Sequence, residues 1–282
     1  MIRAAASLEL LQACALIHDD VMDGSDTRRG APAVHRSLEA LHKHAHWRGS
    51  SKDFGVAGAI LLGDLCLSWA DQLFFDSGMP ADALLRTKPL LDATRTELMA
   101  GQYLDVVEQA RADISPDRAL LVARYKSAKY TVERPLHIGA SLAGASPELL
   151  DVMSDYGLPL GEAFQLRDDV LGVFGDPDTT GKPAGDDLRE GKQTYLIACA
   201  SERATPSQLN ALRSGLGDPH LTDQDVDGLR ELIVETGALA QIEDRIAQST
   251  ENALSALQSV PLENGAGEVL AALAIAATRR SH

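Results

Sequence analysis

The stretch ACALIHDDVMDGSDTRRGAP, residues 13–32, decides how the rest of the chain is read. Its first ten residues carry apolar side chains at helical spacing, and turn formers take over at Gly24, so the segment reads as the end of a helix over residues 4–23 running into a loop. Asp19 and Asp23 stand four apart and project from one helical face, with Asp20 beside them. Acids crowded at a helix end repel one another, and a divalent cation removes that penalty; hard carboxylate oxygens suit Mg²⁺. Arg28 and Arg29 follow in the loop and bring positive charge to any anion the metal would hold.

A second stretch repeats the pattern. In FQLRDDVLGVFGDPDTTGKPAGDDLREGK, residues 164–192, Asp168 and Asp169 close a long apolar helix, Gln165 lies one turn earlier on the same face, and Lys182 and Lys192 follow in a Gly-rich loop. One acidic cluster reads as a solvated helix end or a cap. Two clusters, each after an apolar helix and before basic residues, imply a polyphosphate gripped through shared metals.

Outward from these clusters the periodicity is helical nearly throughout. Helices are predicted over residues 35–47, 54–76, 81–111, 116–143, 147–174, 187–200, 206–215, 222–258 and 266–279; the breaks SGMP, DISP and GASP before 81, 116 and 147 each place Pro just where a helix would start. No alternating run is long enough to name a strand, and nothing marks a second domain. The expected architecture is all-α: a single-domain helical bundle, residues 1–282, with a central apolar cavity.

Composition sets limits. Hydrophobic residues make up 45% of the chain and aromatics only 4%, so the core is built from Leu, Ala, Val and Ile in tightly packed helices. A formal net charge of −15 argues against a nucleic-acid binder. Cys14, Cys66 and Cys199 are widely separated, which points to no disulfide framework and to a cytoplasmic setting. The apolar helices are interrupted by polar groups, so no stable membrane insertion is expected. His42, His44 and His46 in HKHAH read as an exposed helix face, and Lys129 and Arg134 as helix-surface or interface charges.

These residues resemble the trans-isoprenyl diphosphate synthase family, closest to its actinobacterial geranylgeranyl diphosphate synthase-like branch. HDDVMDGSDTRRGAPAVH is similar to the family's first aspartate-rich motif and residues 164–192 to its second. ILLGDLCLSWAD, ELMAGQYLDV and YKSAKYTVERPL match family segments in the right order between them. The resemblance implies a helical bundle of the isoprenoid synthase type and an Mg²⁺-dependent prenyltransferase that joins an allylic diphosphate to isopentenyl diphosphate, with three Mg²⁺ ions bound to the diphosphate, working as a homodimer. Carried over by position, it makes Asp19, Asp23 and Asp168 metal ligands, with Asp20 and Asp169 supporting them. Arg28, Lys126 and Lys182 become contacts of the allylic diphosphate, with Ser127 and Gln165 supporting the same cage, and Arg29 faces isopentenyl diphosphate. Cys14 and Ala15, the fifth and fourth residues before Asp19, line the tunnel for the growing chain, with Leu11 deeper; both being small, a product of about twenty carbons or more is expected from helical geometry.

Three departures stand beside the resemblance. No GGKxxRP-like motif precedes Asp19, Gln12 stands where the family often has His, and Gly172 stands where many members have the last Asp of the second motif, with Asp176 as the expected substitute. The missing motif keeps open a second reading, a catalytically impaired partner or regulatory subunit. A class I terpene cyclase shares the fold and the first motif but requires a different second metal motif, which is not visible here.

Overall fold

The computed structural model describes residues 1–111, 115–176 and 185–279. The chain forms two compact units, Met1–Arg86 and Thr87–His282. Among the described residues the architecture is all-α as expected, apart from one two-stranded hairpin.

In the first unit, α1 (Ile2–Asp23), α2 (Val34–His44) and α3 (Ser51–Phe75) pack together. One face of α3 is a stripe of small residues, Gly55, Ala59, Gly63, Cys66 and Ala70, and it buries Ala4, Ser7, Leu11 and Cys14 of α1 in the same core. A Cβ on Gly63 would lie 2.1 Å from His18 Nε2, so glycine is what lets the His18 ring lie on α3, where Nε2 is 3.0 Å from the Ile60 carbonyl. By length and composition α3 could cross a membrane; 28% of its apolar window is buried, and the opposite face is exposed.

The predicted loop after α1 contains the hairpin. Strands β1 (Thr27–Arg28) and β2 (Ala31–Pro32) are joined by Arg29 and Gly30, with φ of 53° and 74°. Two successive positive φ values are the mark of a tight two-residue hairpin turn. The predicted exposed face at HKHAH is partly corrected: His44 and His46 are exposed, but His42 is buried, with Nε2 3.1 Å from the Arg48 carbonyl and its ring against Trp47 and Phe54.

α4 (Ala81–Arg111) leads into the second unit, which continues through α5 (Pro116–Ala123), a π-helical segment (Arg124–Glu133), α6 (Arg134–Leu142) and α7 (Pro147–Phe174). Then come α8 (Asp186–Glu190), α9 (Tyr195–Arg203), α10 (Pro206–Gly215), α11 (Asp223–Glu235), α12 (Ala238–Leu257) and α13 (Ala266–Thr278). The proline starts at Pro116 and Pro147 are present: Ser115 and Ser146 each accept a hydrogen bond from the backbone N–H three residues on, and Thr205 does the same ahead of Pro206. The predicted helix over 222–258 is two helices, because Gly237 adopts φ 77° between them. The one over 187–200 is divided at Gly191, φ 74°.

The largest departure is the helix predicted over 116–143, whose middle is π-helical for ten residues. Such a wide turn is rare and needs outside support. Three glycines supply room for it. A Cβ on Gly101 of α4 would lie 2.2 Å from the Lys126 nitrogen, one on Gly157 of α7 2.9 Å from Glu133 Cα, and one on Gly161 2.6 Å from the Ala128 carbonyl oxygen. Gly101→Ala is therefore expected to destabilise the protein by about 1–3 kcal/mol, an overpacking cost. Thermal unfolding checks it, and an unchanged midpoint would show that the two backbones can separate freely.

Candidate active site

The first acidic cluster is set by the way α1 stops. Gly24 takes φ 69° and its N–H bonds the Asp20 carbonyl, which Ser25 N–H also reaches at 3.1 Å. This left-handed exit turns the chain into the hairpin, which carries Arg28 back over the helix end. Arg28 Nε donates to Asp20 Oδ1 at 2.9 Å and its Nη2 reaches Asp19 Oδ2 at 3.4 Å. Asp20 is 2% exposed; Asp19 and Asp23 are half-buried. The pair Asp19–Asp20 thus divides into one acid sealed under a guanidinium and one still partly open to solvent.

Beside it lies a cavity of about 270 Å³, lined by Ala13, Leu16 and Ile17 of α1 together with Asp20, Arg28 and Arg29. Arg29, at the hairpin tip, is exposed. Cys14 and Leu11 do not line this cavity: they are buried on the side of α1 that faces α3, while Ala15 is half-buried. Burial pushes the Cys14 thiol up to about 11, with Cys66 and Asp64 adding to the shift.

The second cluster, in the last two turns of α7, is divided in the same manner. Asp169 is buried; Gln165 Nε2 donates to its Oδ1 at 2.9 Å and the Tyr195 backbone N–H to its Oδ2 at 3.3 Å. Burial pushes the Asp169 carboxyl up to about 7, opposed by the Gln165 hydrogen bond and reinforced by the charges of Asp187 and Asp168. Asp168 is half-buried.

A third carboxylate joins this cluster that the sequence reading passed over. A Cβ on Gly172 would lie 1.9 Å from Asp187 Oδ2, so the Asp187 carboxylate, arriving from α8, fills the space beside Gly172. Lys192 Nζ holds its other oxygen at 3.3 Å. Asp176, the expected substitute, is exposed. The signal available in the sequence was the pairing of a glycine at 172 with an extra acid in GDDL, residues 185–188. Lys182 lies outside the described residues.

Lys126 and Ser127 stand in the first half of the π-helical segment. Lys126 Nζ is 2.6 Å from Asp105 Oδ2, and Arg124 Nε bonds Glu162 Oε1 at 2.7 Å. Lys129 and Arg134, read as surface charges, are instead 13% and 14% exposed and both bind Glu97. Burial alone would raise the Glu97 carboxyl, but hydrogen bonds from Arg134 and Lys129 outweigh it and hold that group below the usual carboxylate range. Tyr103 is 68% exposed.

Among the described residues, no three His, Cys, Asp or Glu side chains form a ready-made metal cage.

The described residues are almost wholly helical, and α1 and α7 each carry paired aspartates near their C-terminal ends. The chain belongs to the polyprenyl synthetase family, whose model matches residues 1–233, and it is a prenyltransferase by class. Its structure is similar to that of a geranylgeranyl pyrophosphate synthase from Corynebacterium glutamicum, complexed with isoprenyl diphosphate and magnesium: 50% identity, TM-score 0.96, covering 99% of this chain and 78% of that one. It is 34% identical to a geranylfarnesyl diphosphate synthase of Aeropyrum pernix over 91% of this chain and 75% of the relative. It is 38% identical to a (2E,6E)-farnesyl diphosphate synthase of Mycobacterium bovis over 70% of this chain and 49% of the relative.

Proposed function

We propose that this protein is a trans-prenyltransferase that condenses an allylic diphosphate with isopentenyl diphosphate, releases diphosphate, and stops at a product of about twenty carbons. The observation that carries the reading is the matched division of the two acid pairs. In each, one carboxylate is sealed and held (Asp20 by Arg28, Asp169 by Gln165 and Tyr195 N–H), and its neighbour, Asp19 or Asp168, stays partly accessible. A sealed acid fixes the geometry of the helix end; an accessible one can take a ligand.

Asp19, Asp23 and Asp168 are the residues to hold Mg²⁺, three ions in this proposal, with Asp187 reinforcing the second group. When bound together with the substrate, the metal neutralises diphosphate charge and makes it a better leaving group. Arg28 and Lys126 serve the same end from the protein side, taking up negative charge as the allylic C–O bond breaks. The isopentenyl double bond then forms the new C–C bond at the allylic carbon, and the proton lost from the isopentenyl unit goes to the departing diphosphate. Apolar surroundings keep water from the cationic carbon in the meantime. Arg29, on the rim of the cavity beside α1, is the proposed contact of isopentenyl diphosphate.

Incubating the purified protein with Mg²⁺, farnesyl diphosphate and isopentenyl diphosphate, and identifying products by mass spectrometry, tests the proposal. A twenty-carbon diphosphate is expected, and no elongation of any allylic diphosphate would overturn it. The partner-subunit alternative is not favoured, because both acid pairs are present and supported. A homodimer belongs to the same proposal: Ile60, Leu61, Leu65 and Trp69 leave an exposed apolar face on α3.

Product length gives a further test. Ala15→Phe, at a half-buried position, is expected to shift products toward fifteen carbons. Cys14→Phe is expected to do the same at a cost in stability of about 1–3 kcal/mol, because Cys14 is only 4% exposed. An unchanged product distribution in both variants removes this side of α1 from chain-length control.

A further inference from the structure

The π-helical segment is clamped to α4 by a single stripe. Glu97, Gly101 and Asp105 follow one another at four-residue steps on that helix, and each meets a different part of the segment. Gly101 lies against the Lys126 backbone, Asp105 takes the Lys126 ammonium at 2.6 Å, and Glu97 takes Lys129 at 3.1 Å and both ends of the Arg134 fork at 2.6 and 2.7 Å. Beyond Glu97 the same chain of bonds continues inward. Lys129 also bonds Glu133 at 3.1 Å, Arg134 Nη1 lies 3.1 Å from His137 Nδ1, and His137 Nε2 meets Ser154 Oγ at 2.9 Å on α7.

A π-helix has poorer intrinsic standing than an α-helix of the same residues, and relaxation to α spacing would rotate every side chain after the point of change. Ordinary burial does not select between the two spacings. A bidentate guanidinium–carboxylate pair does, because its fork fixes both distance and direction. Glu97 is the acid that holds this fork, and it sits at the far end of the segment from Lys126.

We propose that Glu97 is a positioning residue for the reaction: by holding Lys129 and Arg134 it fixes the π spacing that aims Lys126 at the diphosphate. The proposal rests on the reading of Lys126 as a diphosphate contact, and pyrophosphate binding separates the two. Calorimetry with inorganic pyrophosphate and Mg²⁺ is run on the wild type, Glu97→Gln, Lys126→Met and the double variant, alongside product formation. Glu97→Gln is expected to weaken pyrophosphate binding about tenfold, and to raise KM for the allylic diphosphate in proportion while leaving KM for isopentenyl diphosphate within about twofold. The double variant is expected to bind no more than about twofold worse than Lys126→Met alone, since two changes acting through one group do not add.

Multiplying effects in the double variant would reduce Glu97 to a general structural role and overturn the proposal. So would wild-type binding by Glu97→Gln, or by Lys126→Met. Wild-type protein that binds pyrophosphate but forms no prenyl product would overturn the functional reading, while the four binding constants still decide the role of Glu97. If Glu97→Gln does not fold, Arg134→Lys carries the same comparison, because it keeps the charge and gives up the fork.

Discussion

Asp168→Ala lowers kcat/KM by about a thousandfold with little change in thermal stability, whereas Asp169→Ala lowers stability by about 1–3 kcal/mol as well as activity. The two neighbours differ because their surroundings differ. Asp169 is buried with an oxygen committed to Gln165 and the other to the Tyr195 N–H, which ties the start of α9 to the end of α7. Its removal strands a buried backbone donor. Asp168 is half-buried at the end of an apolar helix and is the acid proposed to meet metal and diphosphate, so its loss is felt when leaving-group charge develops. Steady-state kinetics and thermal unfolding of both variants check this. A thermal shift with Mg²⁺ and pyrophosphate adds a direct readout: about 2.7 kcal/mol of stabilisation is expected for wild type at a hundredfold excess over Kd, and little for Asp168→Ala. An Asp168→Ala enzyme with near-normal kcat/KM would remove the second cluster from the chemistry.

Gly172→Asp, which supplies the acid that the family resemblance led one to expect at this position, is expected to inactivate rather than improve the enzyme. Asp187 already fills that space, with its Oδ2 1.9 Å from where a Cβ would stand and its Oδ1 held by Lys192. A second carboxylate there collides with the first and adds like charge beside Asp168 and the buried Asp169. A fall in kcat of about a hundredfold is expected, and Gly172→Asp combined with Asp187→Gly is expected to recover at least about tenfold of it, because one acid again occupies one space. Comparing kcat for the two variants and for Asp187→Gly alone decides the matter. Full activity in Gly172→Asp would show that the Asp187 carboxylate is dispensable at this position.

The same two residues show where sequence reading stops. Gly172 was legible as a missing acid, and Asp176 was the nearest candidate along the chain. Proximity along a sequence says little about proximity in space once a loop intervenes, and the acid that arrives comes from α8 while Asp176 faces solvent. Lys129 and Arg134 failed for a related reason. Long cationic side chains are usually surface groups, and nothing in YKSAKYTVERPL reveals that Glu97, some thirty residues earlier, is there to receive them.

Most helix positions, the proline-led helix starts, the two paired aspartates and the all-α class were determined by the sequence alone. They follow from local causes: the period of apolar side chains, the missing N–H of proline, the caps offered by Ser115, Ser146 and Thr205. The π spacing of Arg124–Glu133, the sealing of Asp20 and Asp169 beside their accessible neighbours, and the placement of Asp187 against Gly172 were decided only by tertiary structure. Each depends on a partner far along the chain (a glycine slot, a guanidinium, a backbone N–H), and the free energy of such a contact is written in no single segment.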